Sequence, residues 1–187
     1  MADEPHGFCI IGDMEFSLLP HPAMPPQSVL SVTCTIRRRG DGLALTYAIT
    51  AAPGGLRLPP SRPPERTDGL WRTTCLELFV ADAGAAYREF NFAPSGQWAA
   101  YGFTARREGM APLAMAEAPA IRLRQEEAAM AVSVAMRGIG IGALRLGITA
   151  VIEEIDGTKS YWALRHGGNA PDFHDPDCFV AQLPPAV

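Results

Sequence analysis

A single lysine, Lys159, stands among the sixteen cationic side chains of this sequence, and the formal net charge is −4. The arginines are scattered, apart from Arg37, Arg38 and Arg39. No basic face able to track a phosphate backbone is expected, and nucleic acid is excluded as a partner. Long apolar runs are also missing. No window approaches the roughly 18 uninterrupted apolar residues that a bilayer crossing requires, so no membrane span is predicted. The first twenty residues, MADEPHGFCIIGDMEFSLLP, carry acids where a signal peptide needs positive charge, and Gly12 and Asp13 interrupt their apolar stretch. An uncleaved, cytoplasmic chain is the expectation. The four cysteines, Cys9, Cys34, Cys75 and Cys178, form no CxxC pair and lie mostly in apolar, strand-like runs. They read as small buried thiols rather than a disulfide or metal framework.

Convincing 3.6-residue periodicity is scarce as well, and period-two alternation takes its place. In SVLSVTCTIRRRGDGLALTYAIT, Leu30, Val32, Cys34 and Ile36 share one face of a first arm. Leu43, Leu45, Tyr47 and Ile49 share one face of a second, across Gly40-Asp41-Gly42, which reads as a β-hairpin. The proline-studded segment from about residue 52 to 72 suits neither helix nor central strand, so it is a long surface loop. Beyond it, TTCLELFVA, YREFNFA and QWAAYGFTA follow one another across Asp82-Ala83-Gly84 and Pro94-Ser95-Gly96 as a three-strand meander. AIRLRQE, MAVSVAM, ALRLGITAVIEEI, SYWALR and CFVAQL complete about ten strands. A chain of 187 residues with this pattern predicts one domain, all-β, an antiparallel β-sandwich of jelly-roll type.

Several motifs promise less than they suggest. GIGIGALRLG has no GxGxxG register and runs into strand-like alternation, so it is a glycine-relieved strand rather than a dinucleotide loop. Ser95 lacks the GxSxG elbow of a nucleophile. HGGNAPDFHDPDCF gathers His166, Asp172 and His174, weak candidates for a divalent metal, but loops rich in Asp, Pro and Gly are more often capped turns. Haem would need axial ligands that no motif assigns. The cofactor expectation is therefore none, with haem or a divalent metal as alternatives.

The informative stretch is YREFNFAPSGQW, residues 87–98. Tyr87, Glu89 and Asn91 fall on one face and Arg88, Phe90 and Phe92 on the other, before the turn delivers Trp98. On the preceding strand, Glu77 sits between Cys75 and Phe79 on one face, where an isolated carboxylate needs a partner. Depending on register, that partner is Glu89 and Asn91 or Arg88. A polar row beside an aromatic plane is what sugar recognition uses, because a pyranose presents apolar C–H faces and a rim of hydroxyls. Trp71, Glu77, Arg88, Glu89, Asn91, Trp98 and Trp162 are the candidate ligand-binding residues. The competing reading is a solvated face or structural ion pair, with indoles in the core.

The run DGLWRTTCLELFVAD…YREFNFAPSGQWAAYGF, with SYWALRHGGNAPDFHDPDCF near the end, resembles the bacterial DOMON-like proteins, which are related to type 9 carbohydrate-binding modules. The resemblance extends from about Val29 to Leu183. It implies a β-sandwich whose relatives bind sugars or haem, with Trp71 as stacking platform and Glu77, six residues on, as hydroxyl acceptor. It also implies a closing aromatic, for which Trp162 or Phe173 are loose analogues, and polar partners among Arg88, Asn91 and Asn169. The expected function is non-enzymatic binding of a small sugar or glycoside. Alternatives are a sugar-acting enzyme using Glu77 and Glu89, a haem- or metal-binding domain, and a protein-interaction scaffold.

Overall fold

The computed structural model describes residues 13–186. Its strands in chain order are β1 (Met14–Pro20), β2 (Val29–Arg39), β3 (Gly42–Ala51), β4 (Cys75–Ala81), β5 (Tyr87–Phe92) and β6 (Trp98–Phe103). There follow β7 (Ala111–Pro112), β8 (Ala120–Gln125), β9 (Ala129–Met136), β10 (Leu144–Glu153), β11 (Lys159–Ala163) and β12 (Ala181–Leu183). Among the described residues helix is limited to single 3₁₀ turns at Leu70–Arg72 and Pro176–Cys178, and none is long and apolar enough to cross a membrane. Every strand pairing is antiparallel. The hydrogen-bonded order is β7-β6-β5-β4-β10-β11-β1-β2-β3-β9-β8, with β12 beside β10.

This long sheet curls until its two halves share one core. Val32, Leu45 and Ile49 from one half meet Leu76, Leu78, Phe90 and Ile148 from the other, all essentially without exposure. Burying each such side chain contributes about 1.5–3 kcal/mol. Tyr47 crosses the core to donate its hydroxyl proton to the Glu77 carbonyl at 2.7 Å, satisfying a phenol that is otherwise out of reach of water. The strand β1 joins the halves by pairing with β2 over Met14–Leu18 and with β11 at Leu19 and Pro20. It falls within the stretch weighed above only as a leader, and the two-residue β7 was also not anticipated. The described residues hold twelve strands, where about ten were expected.

The hairpin β2–β3 forms as expected, with one correction. The register shifts between Val29 and Ser31, so Val29 takes the buried position and Leu30 is 71% exposed; a bulge of this kind reverses facing. Cys34, Cys75 and Cys178 are buried free thiols, and Cys9 lies outside the described residues. The proline-rich loop lies over the surface but is fastened. Arg62 and Thr67 donate their backbone N–H groups to the Ser95 and Trp98 carbonyls, each at 2.8 Å, while Leu56 bridges to Glu154.

The halves differ in cover. In β2, β3 and β9 burial alternates along the strand, whereas β4, β5, β6 and the middle of β10 are buried on both faces. Their outer face carries a second apolar cluster including Phe79, Tyr87, Tyr101 and Val151, roofed by Phe173, Cys178 and Phe179 of the C-terminal segment. Gly147 explains how the roof comes so close. A Cβ there would lie 2.5 Å from Phe179 Cδ1, so only glycine lets that ring rest on the sheet.

Candidate functional site

Two tight turns align the polar residues. Gly84 (φ 68°) closes the β4–β5 connection and Gly96 (φ 99°) the β5–β6 connection, both in left-handed conformations suited to glycine. The resulting register sets Glu77 opposite Asn91 and Phe79 opposite Glu89, and then Glu89 opposite Tyr101. On the other side of β4, Thr149 of β10 lies opposite Glu77. A row Thr149–Glu77–Asn91 thus crosses the outer face, with Glu89 diagonal to Glu77. Cβ atoms in such diagonal pairs are about 7–8 Å apart or somewhat less.

Above this row, the cover leaves a pocket of about 290 Å³. Glu77 and Glu89 line it, at 3% and 5% exposure. Aromatic walls come from Trp71, Tyr101, Phe103, Tyr161 and Phe173. Trp71 is delivered by the 3₁₀ turn that starts after Gly69 (φ 78°), and it meets Tyr101 edge-on at 6.1 Å while remaining 38% exposed. It forms an open lip above a closed floor.

The floor is short of donors. Glu77 Oε2 accepts the Thr149 hydroxyl at 3.3 Å, and Glu89 Oε1 accepts the Asn91 side-chain amide at 2.7 Å. Among the described residues no donor is hydrogen-bonded to Glu77 Oε1 or Glu89 Oε2, and neither acid pairs with Lys or Arg. Burial accordingly holds Glu77 well above the usual carboxylate range, and the neighbouring Glu89 charge raises it further against the pull of Thr149 and Cys75. Burial pushes Glu89 up to about 7, with Asn91 and Arg107 acting downward. Burial thus favours the protonated form of Glu77, where the resemblance implied a plain hydroxyl acceptor.

His174 stands beside Glu89. The Tyr87 hydroxyl accepts the Arg107 backbone N–H at 3.1 Å and lies 2.8 Å from His174 Nδ1, to which it can donate its proton. In that arrangement the neutral ring carries its proton on Nε2, 3.8 Å from Glu89 Oε2. Burial drives the His174 pKa down to about 4, and the Arg107 charge adds to it. Arg107 itself sits at φ 59°, the one left-handed non-glycine among the described residues. Its guanidinium turns to Asp172 at 2.7 Å, which Arg106 also holds at 2.7 Å. Arg106 reaches Asp175 as well, at 3.1 Å. These pairs tie the C-terminal cover to the turn after β6.

Of the residues singled out from sequence, Trp71, Glu77 and Glu89 meet in the pocket, and fully buried Asn91 braces Glu89 from beneath. Arg88, Trp98 and Trp162 do not join them. Arg88 points to the opposite face and pairs with Asp82 at 3.0 Å. Trp98 and Trp162 face the central core, because the same alternation that brings Asn91 outward turns Phe92 and its partner Trp98 inward. The Trp162 indole donates to Ser160 Oγ at 2.9 Å, and the buried Trp98 N–H has no partner among the described residues.

The suggested metal ligands have other engagements. Asp172 takes two guanidiniums and His166 Nε2 donates to the Leu19 carbonyl at 2.9 Å. Asp175 caps the final 3₁₀ turn by accepting the Asp177 N–H at 3.0 Å. Among the described residues no three His, Cys, Asp or Glu side chains are placed so that they could hold a metal ion together. Phe103 and Arg107 were not foreseen in the pocket. Phe103 was legible, since it alternates with Tyr101; Arg107 depends on a turn conformation that its residue type does not announce.

No protein-family model and no curated protein matches this chain. Its fold is shared with the crystal structure of a "putative carbohydrate-binding protein" from Bacteroides uniformis. The TM-score is 0.64 and the identity 15%, over 89% of this chain and 84% of the other. At that identity the likeness speaks for the fold alone.

Proposed function

We propose that this chain is a non-enzymatic carbohydrate-binding domain, a DOMON-like sandwich of jelly-roll type whose ligand is a small sugar or glycoside. One observation carries the reading: a partly open indole, Trp71, lies at the mouth of a pocket floored by two buried acids, each with an oxygen free to meet a ligand hydroxyl. The ring face of a pyranose stacks on Trp71, and its hydroxyls reach Glu77 and Glu89. A protonated Glu77, the form its burial favours, both donates and accepts, which suits a hydroxyl rim better than a bare anion does. The description of the Bacteroides uniformis protein, at 15% identity, agrees with this reading.

Affinity in the micromolar range or weaker is expected, because hydroxyl hydrogen bonds largely replace bonds to water. Calorimetric titration against a panel of mono- and disaccharides tests it. Heat that saturates in the parent and vanishes in Trp71→Ala is expected; saturable binding unchanged in that variant removes Trp71 from the site. A second reading draws on the two acids sharing one face. A sugar-cleaving enzyme would use Glu77 and Glu89 together, and release of nitrophenol from nitrophenyl glycosides, abolished by Glu89→Gln, would favour it over binding alone.

A further inference from the structure

The pocket holds two acids and offers no cation to either. A buried carboxyl ordinarily meets a guanidinium or ammonium, or stays neutral because charging it alone is too costly. Here the groups packed against the pair from every side are accounted for. From the sheet come Cys75, Tyr87, Asn91, Thr149 and Tyr101, and none of them carries a positive charge. From the cover come His174 and Arg107; the first has its pKa near 4 and the second is directed to Asp172. The closest cationic candidate is His174 Nε2, 3.8 Å from Glu89 Oε2 and uncharged at neutral pH. Around this unmatched pair stand the faces and edges of Trp71, Tyr101, Phe103, Tyr161 and Phe173. Aromatic walls stabilise a cation through the ring quadrupole. Two acidic oxygens without donors and an aromatic enclosure ask for the same thing.

We propose that the sugar taken by this pocket is an amino sugar, whose ammonium docks between Glu77 Oε1 and Glu89 Oε2 while its ring lies against Trp71. This rests on the saccharide reading above and adds the charge of the ligand to it. An ammonium brings three donors to two oxygens that lack them, and the third is free for a further acceptor. It also reverses the electrostatics of the floor. With a cation between them the acids ionise, so binding at pH 6 expels protons that the empty pocket retains.

Four probes on the full chain separate the possibilities: glucosamine, glucose, N-acetylglucosamine and choline. Calorimetry at pH 6 in two buffers of different ionisation enthalpy reads affinity and proton release together. Glucosamine is expected to bind about tenfold or more tightly than glucose, as a close charge pair in a shielded site allows. Its heat should depend on the buffer, with net proton release. N-acetylglucosamine, which keeps the ring and loses the charge, should fall to the level of glucose or below. In Glu77→Gln/Glu89→Gln, which replaces both acids by neutral side chains of the same shape, the preference for glucosamine over glucose should disappear.

Equal affinity for glucosamine and glucose, with no proton release, would overturn the amine inference and leave sugar binding standing. Choline binding as tightly as glucosamine, with no glucose binding, would support the cation site and remove the sugar. Absence of binding by all four probes would overturn both. N-acetylglucosamine needs no mutation, so the inference stays open to refutation even if the double variant fails to fold.

Discussion

The two halves of the curled sheet begin from similar sequences and end in different surroundings. Both LALTYAIT in β3 and CLELFVA in β4 alternate, and both turn one set of residues into the shared core. The outer residues of β3 and its neighbours are small or hydroxylated, such as Thr46 and Ser133, and they face solvent. Those of β4 to β6 are Glu77, Glu89, Asn91 and Tyr101, and they lie under a cover built from the proline-rich loop and the C-terminal segment. A polar residue on an open face needs no explanation. An acid on a covered face does, because covering it raises its pKa and leaves its oxygens in need of donors. The covered half is where this molecule departs from the consistency expected of a purely structural sheet.

Substitutions that act on one half or one face can break or sharpen this contrast. The largest loss is expected in the shared core. Phe90→Ala removes a ring with 1% exposure, for a destabilisation of about 3–5 kcal/mol in urea unfolding. A loss under 1 kcal/mol would mean that the halves do not pack as described.

The covered acids come next, through their pH dependence. Because the Glu89 pKa rises from 4.5 to about 7 on folding, stability is lost as pH climbs through that window and is level above it. Glu77, also raised by burial and by the neighbouring Glu89 charge, acts in the same sense. His174 acts oppositely: its pKa falls from 6.5 to about 4, so stability is lost as pH drops from 6.5 toward 4. Glu89 and His174 therefore offset each other between pH 4.5 and 6.5. Glu89→Gln removes its part of the alkaline loss and should exceed the parent by up to about 3 kcal/mol at pH 8. Near pH 4, where both states of the parent are protonated at Glu89, the gain should vanish. A gain equal at both pH values would contradict a buried, titrating acid.

Gly147→Ala tests the cover without touching the acids. The new Cβ meets Phe179 at 2.5 Å, so the C-terminal segment must shift. A loss of about 1–3 kcal/mol is expected, together with faster proteolysis after β11 and weaker ligand binding. At the far end, Thr46→Val on the open face of β3 should change stability by no more than about 0.5 kcal/mol. A larger effect there would erase the distinction between the halves.

The sequence exposed most of this contrast, though not all. Period-two alternation and the glycines at 84 and 96 marked strands and turns, because both signals are local. Alternation also paired Glu89 with Asn91 and separated them from Arg88. It could not say which face of β5 would be paired with Glu77, since register is decided between strands by turn geometry and packing. Trp98 and Trp162 were drawn toward the site by residue type, whereas the sheet turns both inward. Asp172 and His174 suggested metal because the two guanidiniums that occupy Asp172 come from Arg106 and Arg107, distant in sequence. β1 was missed because an apolar N-terminal stretch invites a leader reading before a strand reading.

Tryptophan quenching reads most directly whether a sugar ring lies against Trp71. With Trp98 and Trp162 at 9% and 3% exposure, the emission accessible to acrylamide comes essentially from Trp71 at 38%. Saturating glucosamine is expected to remove that accessible fraction, and Trp71→Ala to lack it with or without sugar. Calorimetrically verified sugar binding that leaves acrylamide quenching unchanged would place the ligand elsewhere and contradict the site.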